Sequence, residues 1–373
     1  MSAVITGSGL FTPPESISND ELVASFNEYV CRWNRDHAAD IDAGRAQALA
    51  ESSSEFILKA SGIRSRHVVD RRGILDPEVM RPQIRRRSND EPSLLCEMAL
   101  DAARQALDRA GRSPEDVDGV LVACSNLERP YPAIAVEVQH RLGAGGYAFD
   151  LNVACASAAF GVQAAVDAVS RGSARAVLVL NPEVCSGHLN FRDRDSHFIF
   201  GDAATALLVE SGAGKPSSSH AFEVLGTRLV TRFSNNIRNN FGFLNRCETE
   251  PRDPRELLFV QDGRQVFKEV VPIVSALILD DLARLGIDVA AVKRFWLHQA
   301  NLGMNQLILK RVLGRAATDA EAPIVLDEYA NTSSAGSVIA FHKFHEGLAS
   351  GELGVLCAFG AGYSAGIAVL RKL

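Results

Sequence analysis

A cysteine, a histidine and an asparagine stand at three places where an apolar, strand-like run gives way to small residues that open a helix. Cys155 lies in Asp150-Leu151-Asn152-Val153-Ala154-Cys155-Ala156-Ser157, His298 in Phe295-Trp296-Leu297-His298-Gln299-Ala300-Asn301, and Asn331 in Ala330-Asn331-Thr332-Ser333-Ser334-Ala335. Taken singly, each has a plain reading: a packing cysteine, a satisfied core histidine, a helix N-cap. Three junctions of one kind are harder to set aside. In α/β sheets such junctions gather at the carboxyl ends of the strands, where ligands bind. A thiol, an imidazole and a carboxamide gathered there suit nucleophilic acyl transfer. At the first turn of a helix, unpaired backbone N–H groups favour the thiolate, so the Cys155 pKa is expected to fall below that of a free thiol.

The elements that must position these residues can be read in outline. Tyr147 to Val153 is strand-like, and Ala156 to Val169 repeats small and apolar residues at helical spacing until Arg171-Gly172. Val4 to Thr6 reads as a first strand closed by Gly7-Ser8-Gly9. Ser18-Asn19-Asp20-Glu21 has the form of a helix start. The polar, alanine-rich region 27–54 is expected to be a helical insertion with a break near 40–44, either a solvated appendage or a wall over a substrate entrance. Ser93 to Ala110 is an amphipathic helix, Gly119 to Ala123 a buried strand, and Val266 to Leu285 a long helix interrupted by Pro272. Ile199-Phe200-Gly201-Asp202 and Ala358-Phe359-Gly360-Ala361-Gly362 repeat one texture, a Phe-Gly turn, small residues and a buried strand. That suggests an internal duplication, with halves at 1–211 and 219–373 joined by a Gly- and Ser-rich linker. Strands alternating with helices in both halves predict layered α/β architecture.

Composition narrows the function. The chain has 373 residues, 47% hydrophobic and 23% charged, with a net charge of −6, which gives no global reason to bind nucleic acid or an anionic membrane. Its seven cysteines include no Cys-x-x-Cys pair, so neither a disulfide framework nor a metal site is expected, and a reducing, cytoplasmic setting fits best. The N-terminus is read as a strand, not a signal peptide, and no apolar run is long enough to span a bilayer. Arginine is dense from 64 to 87, which reads equally as a solvated face or a dock for an acidic partner.

Asn152-Val153-Ala154-Cys155-Ala156, His298-Gln299-Ala300-Asn301, Asn331-Thr332-Ser333-Ser334-Ala335 and Phe359-Gly360-Ala361-Gly362 together resemble the β-ketoacyl-acyl-carrier-protein synthase III family of thiolase-fold condensing enzymes. Ser61-Gly62-Ile63-Arg64, Phe200-Gly201-Asp202 and Val266-Phe267-Lys268 support the match, which runs in order along nearly the whole chain. The resemblance implies a duplicated, five-layered α-β-α-β-α fold and a homodimer. It implies that Cys155 accepts an acyl group from acyl-CoA, and that the backbone N–H groups of Cys155 and Ala361 form the oxyanion hole. His298 and Asn331 would then direct decarboxylative condensation with malonyl-acyl-carrier protein, with no cofactor. It further implies CoA or carrier contacts at Phe56, Arg194, Lys268, Gln299 and Asn301, and an acyl-pocket aromatic at Tyr131.

The chain departs from the family pattern at three points. Phe56 and Ala60 replace the Trp and Arg that grip CoA, with Lys59 as a substitute charge. Gly303 replaces an Arg of the carrier dock. The stretch before Phe56 is longer, which would admit primers longer than acetyl. Two other readings keep the same residues: acyl transfer or thioester hydrolysis without condensation, and a non-catalytic partner subunit of a condensing pair.

Overall fold

A computed structural model describes residues 2–212 and 218–373; the central part of the predicted linker lies outside the described residues. The described residues form thirteen strands: β1 (Ala3–Phe11), β2 (Glu15–Ser18), β3 (Ser65–Val68), β4 (Gly119–Ala123), β5 (Tyr147–Leu151), β6 (Ala176–Val184), β7 (Asp202–Ser211), β8 (Phe222–Thr231), β9 (Ile237–Arg238), β10 (Val260–Gln261), β11 (Val292–Leu297), β12 (Leu353–Gly360) and β13 (Ser364–Lys372). Nine of them make one sheet in the order β11-β12-β13-β8-β1-β7-β6-β4-β5. Pairing runs antiparallel, antiparallel, parallel outward from β1 through β7, β6 and β4. The same sequence of pairings runs from β8 through β13, β12 and β11. The two flanks meet in a short antiparallel pairing of β1 with β8, Ala3 opposite Val224 to Ile5 opposite Phe222. This is the architecture of a duplication.

Apolar burial sorts the helices into layers. The helices Ser157–Arg171 and Ala335–Phe344 place Val162, Ala165, Val338 and Phe341 in one core with Val177 and Leu207 of the first flank and Trp296 and Leu356 of the second. They therefore form a middle layer between the flanks. Phe222, Trp296 and Phe341 pack edge-to-face there, with centroids 5.0–5.9 Å apart, which adds about 0.5–1.5 kcal/mol per pair beyond the area buried. The helices Leu94–Ala110 and Ile134–Leu142 cover the outside of the first flank. Gly263–Arg284 and Leu302–Leu313 cover the second. The result is the five-layered α-β-α-β-α arrangement that the resemblance implied.

Local expectations needed three corrections. Gly7-Ser8-Gly9 does not close the first strand but lies inside it. A Cβ on Gly7 or Gly9 would sit about 2.0 or 1.9 Å from a carbonyl oxygen of the helix above, at Ala106 or Ala102, so these glycines serve close strand–helix approach. Pro272 does not interrupt its helix, which runs unbroken from Gly263 to Arg284. Proline removes one intrahelical hydrogen bond, and burial of Val266, Val270, Val271 and Val274 on the sheet outweighs that loss. In the 27–54 region only the first part is helical: Asn19–Asp36, capped by Ser18, then the short Ala38–Asp42.

The return to Ser53 is irregular and strapped to the first helix by two asparagine side chains. Asn34 exchanges hydrogen bonds with the Leu49 backbone and Asn27 with that of Ser52. A carboxamide can satisfy both backbone groups of one residue, which lets a polar segment lie against a helix without a sheet partner. The helix Ser54–Ser61 follows. This cap shares a core with Leu326 and Ala330, immediately before Asn331. Arg66 joins its parts. Fully buried, it donates to the carbonyls of Ile17 and Phe198 and to the Asn19 side chain, and burial lowers its pKa to about 9. Three other arginines of the basic run, at 71, 85 and 87, pair with Glu21, Glu91 and Glu97.

Candidate active site

Cys155 follows β5 by four residues and precedes the helix Ser157–Arg171 by two. Three local bonds shape its turn. Asn152 Oδ1 accepts from Ala154 N at 2.9 Å, Ser157 Oγ accepts from Val153 N at 2.8 Å, and the same hydroxyl donates to Ala154 O. Ala154 is thereby held at φ +47, a left-handed conformation that a non-glycine residue keeps only when its surroundings impose it. The turn lifts Cys155 toward the end of β12, whose Gly360 would clash with it had it a side chain: a Cβ there would lie 2.6 Å from Cys155 Cβ and 3.1 Å from Sγ.

His298 follows β11, and its backbone N–H donates to Cys357 O of the parallel neighbour β12 at 2.7 Å. Its ring is buried, with the Phe359 ring perpendicular at 5.2 Å. Asn331 is threaded beside Phe200, its N–H donating to Ile199 O and its carbonyl accepting from Gly201 N. Its Oδ1 accepts from Ser333 N at 2.9 Å, which orients the carboxamide and leaves the Nδ2 amino group as the outward donor.

Ser333 ties two of the three together: its Oγ lies 3.2 Å from Cys155 Sγ and its N–H holds Asn331 Oδ1, while its backbone works against the burial that lowers the His298 pKa. Ser333 itself is left-handed, at φ +49. The next residue, Ser334, anchors this turn by donating its N–H and hydroxyl to the buried Glu183 carboxylate, which also accepts from Ser125 N and Oγ. Ser333, Ser334 and Glu183 were not singled out from sequence. Ser333 and Ser334 stand inside the asparagine motif, but nothing in the sequence marks Glu183, whose serine partners lie 58 and 151 residues away.

The electrostatics correct one expectation. The Cys155 thiol is not lowered: burial raises it to about 11, the nearby Glu183 carboxyl adds to the rise, and the Ser333 hydroxyl and the backbone N–H groups of Cys155 and Ala361 pull against it. The helix terminus does supply donors, but water removed from around the sulfur costs the anion more. His298 is lowered to about 4, chiefly by burial, and is neutral at physiological pH.

The residues proposed for CoA or carrier contact divide. The Arg194 guanidinium lies over the Phe56 ring, 4.1 Å from its centroid, so these two are together on the cap. Lys268 is exposed on the helix Gly263–Arg284, and Tyr131 is 81% exposed. Gln299 and Asn301 are spent on the scaffold. Gln299 is buried, donating to Leu297 O and accepting from Val325 N and Leu326 N. Asn301 caps its helix through Met304 N and donates to Ala60 O of the cap. Each carboxamide thus holds scaffold contacts through its oxygen and one of its two N–H donors. A cavity of about 470 Å³ runs along the helix Leu302–Leu313 beside Gly303 and Lys310, but none of Cys155, His298 and Asn331 lines it.

Two family models match the chain: 3-oxoacyl-[acyl-carrier-protein] synthase III over residues 149–229, and the C-terminal part of the same family over 282–372. A curated relative, the beta-ketodecanoyl-[acyl-carrier-protein] synthase of Pseudomonas aeruginosa, is 62% identical over 93% of this chain and 99% of its own. The beta-ketoacyl-[acyl-carrier-protein] synthase III of Caulobacter vibrioides is 29% identical over the full length of both. Among solved structures, the 3-oxoacyl-(acyl carrier protein) synthase III of Pseudomonas aeruginosa superposes with a TM-score of 0.75 at 26% identity, covering 100% of this chain and 98% of that one. The enzyme of the same name from Aquifex aeolicus gives 0.77 at 24% identity, with 99% of each chain covered.

The Gly360 contact yields a test. Gly360→Ala is expected to displace Cys155 and slow its alkylation and acylation by on the order of 10²-fold while the protein still folds; modification kinetics beside a thermal melt would measure both, and near-normal rates would show that the sulfur tolerates the extra methyl.

Proposed function

The chain belongs to the 3-oxoacyl-[acyl-carrier-protein] synthase III family and is an acyltransferase of the condensing type; from that premise we propose that Cys155 takes the acyl group of an acyl-CoA primer and that His298 and Asn331 direct its condensation with malonyl-acyl-carrier protein. The observation that carries this reading is Ser333, whose hydroxyl meets the Cys155 sulfur and whose N–H holds the Asn331 side chain, so that nucleophile and carboxamide share one turn.

In the first half-reaction the Cys155 sulfur gives up its proton and attacks the primer's thioester carbon. The N–H groups of Cys155 and Ala361 face the oxyanion that forms. The carbon–sulfur bond to CoA breaks, and the CoA thiolate takes up a proton. In the second, malonyl-carrier protein loses CO₂ and leaves an enolate. His298 and Asn331 Nδ2 donate to its oxygen. The enolate carbon attacks the acyl group, the bond to Cys155 breaks, and 3-oxoacyl-carrier protein leaves.

His298 suits a donor role. Its Nδ1 is buried without a hydrogen-bond partner among the described residues, and a stranded acceptor is cheaper than a stranded N–H, which favours the proton on Nε2. Because the ring titrates near pH 4, it stays neutral throughout the physiological range.

The primer we assign is medium-chain. A 62% identical relative is named a beta-ketodecanoyl-[acyl-carrier-protein] synthase; a ten-carbon 3-oxoacyl product is what an eight-carbon primer gives on gaining the two carbons left from malonyl, and the strapped cap would lie over the entrance at Phe56. Phe56 and Arg194 would hold the adenine of CoA, Arg194 moving off the ring to admit it. Lys268 would meet the acidic carrier. The product enters fatty acid biosynthesis, and no bound cofactor takes part. The described residues contain no helix long and apolar enough to cross a membrane, and the seven cysteines are all free, which supports a cytoplasmic enzyme. The half-exposed edge strand β5 bears Phe149, 42% exposed. An unpaired edge invites pairing, and we take β5 as the seam of a homodimer that would also cover Tyr131.

Three measurements bear on this. Intact-protein mass spectrometry with acyl-CoAs from two to fourteen carbons is expected to show fastest acylation of Cys155 near eight carbons; a sole preference for acetyl-CoA would defeat the primer assignment. H298A and N331A are each expected to lower CO₂ release from malonyl-carrier protein by on the order of 10²–10³ while Cys155 still acylates, and between pH 5.5 and 9 the decarboxylation rate should be flat whereas acylation rises with thiolate. Loss of acylation and CO₂ release in equal measure would refute this division of labour. Native mass spectrometry should find a dimer at micromolar protein; a monomer would remove the β5 seam.

A further inference from the structure

Among the described residues, the Ser333 hydroxyl has one hydrogen-bond partner, the Cys155 sulfur at 3.2 Å. A hydroxyl can rotate its hydrogen to either partner role, whereas a thiolate can only accept. The contact therefore strengthens as the sulfur becomes charged. The hydroxyl is also held in place. Its residue is left-handed, its N–H is tied to Asn331 Oδ1, and the adjoining Ser334 is bound twice to Glu183. A donor fixed in this way needs no reorganisation when charge appears.

We propose that the Ser333 hydroxyl is a third hydrogen-bond donor to the Cys155 thiolate, beside the backbone N–H groups of Cys155 and Ala361, and that it sets how readily this cysteine is acylated. The proposal rests on Cys155 being the acyl acceptor. Its physical need is visible in the surroundings. Burial and the Glu183 carboxyl both oppose a charged sulfur at this position, and the Ser333 hydroxyl is the one side chain that opposes them. The hydroxyl transfers no proton. It donates a hydrogen bond while the thiol proton departs, the sulfur–carbon bond to the acyl group forms and the bond to CoA breaks with protonation of the CoA sulfur. Once the sulfur is part of a thioester it is a poor acceptor, so the contribution lapses in the acyl-enzyme and returns only as condensation releases the Cys155 thiolate.

The test uses the full-length protein and iodoacetamide, with alkylation followed on the Cys155 peptide by mass spectrometry so that the other cysteines do not interfere. Ser333→Ala and Ser333→Gly both remove the hydroxyl, but only glycine relaxes the left-handed backbone. Both variants are expected to alkylate about tenfold more slowly than the parent at each pH from 7 to 9, as a loss of about one pKa unit of thiolate stabilisation requires. Transfer of octanoyl from octanoyl-CoA should slow in parallel. The sign is diagnostic, because removing atoms beside the sulfur opens access to it. A residue that only packed there would leave alkylation unchanged or faster, and either result in both variants overturns the proposal. Slowing in Ser333→Ala alone would trace the effect to the backbone and overturn it too. If the parent takes no acyl group from any acyl-CoA, the reading of Cys155 fails instead, while the alkylation rates still report on the Ser333 contact.

Discussion

The site depends on a buried carboxylate. Glu183, at the end of β6 and 1% exposed, accepts hydrogen bonds from Ser125 and Ser334, each through its N–H and its hydroxyl. A carboxyl group without partners could not be kept there, since an unpaired buried charge costs several kcal/mol. Burial pushes its pKa up, and the serine donors hold it down. Ser125 belongs to the first half of the chain and Ser334 to the second, so satisfying one carboxyl group joins the halves at the level of the reactive sulfur. The turn it anchors contains two non-glycine residues with positive φ, Ala330 and Ser333. Strain of this kind, about 1–3 kcal/mol per residue, persists where surrounding contacts over-determine the backbone.

The same carboxyl group has an electrostatic consequence. It stands close enough to Cys155 to raise the thiol further, although its hydrogen bonds are what bring Ser333 to the sulfur. The molecule thus holds a buried acidic anchor beside a half-buried cysteine and offsets the conflict with donors: two backbone N–H groups and one hydroxyl. A sulfur that is mostly a thiol at rest resists adventitious oxidation and alkylation, because the thiolate is the reactive form.

The five layers explain how residues so far apart are aligned. The pairing pattern β1-β7-β6-β4 recurs as β8-β13-β12-β11. The middle helices Ser157–Arg171 and Ala335–Phe344 therefore occupy corresponding places in the two flanks. One of them begins just after Cys155 and the other just after Ser334. Duplication brings the two helix starts together, and divergence of their sequences leaves a thiol at one and an asparagine with two serines at the other. His298 comes from the end of β11 in the second flank, tied to β12 by its backbone.

The amino-acid sequence by itself determined the alternation of strands and helices, the doubling, and the chemical identities of Cys155, His298 and Asn331, because these are written in local periodicity and in short motifs at strand ends. Some local readings failed where packing overrode propensity. Pro272 sits within an intact helix, and Gly7 and Gly9 lie within a strand. What only the tertiary structure decided were the quantities that depend on who stands next to whom. The direction of the Cys155 pKa could not be read from a helix start, since desolvation by distant segments outweighs the terminus. Gln299 and Asn301 belong to a motif and look available for a ligand, yet their hydrogen bonds go to Leu297, Val325, Leu326, Met304 and Ala60. Glu183 carries no local signature at all. Its importance arises from burial and from partners brought in by the fold, and neither is encoded in the residues beside it.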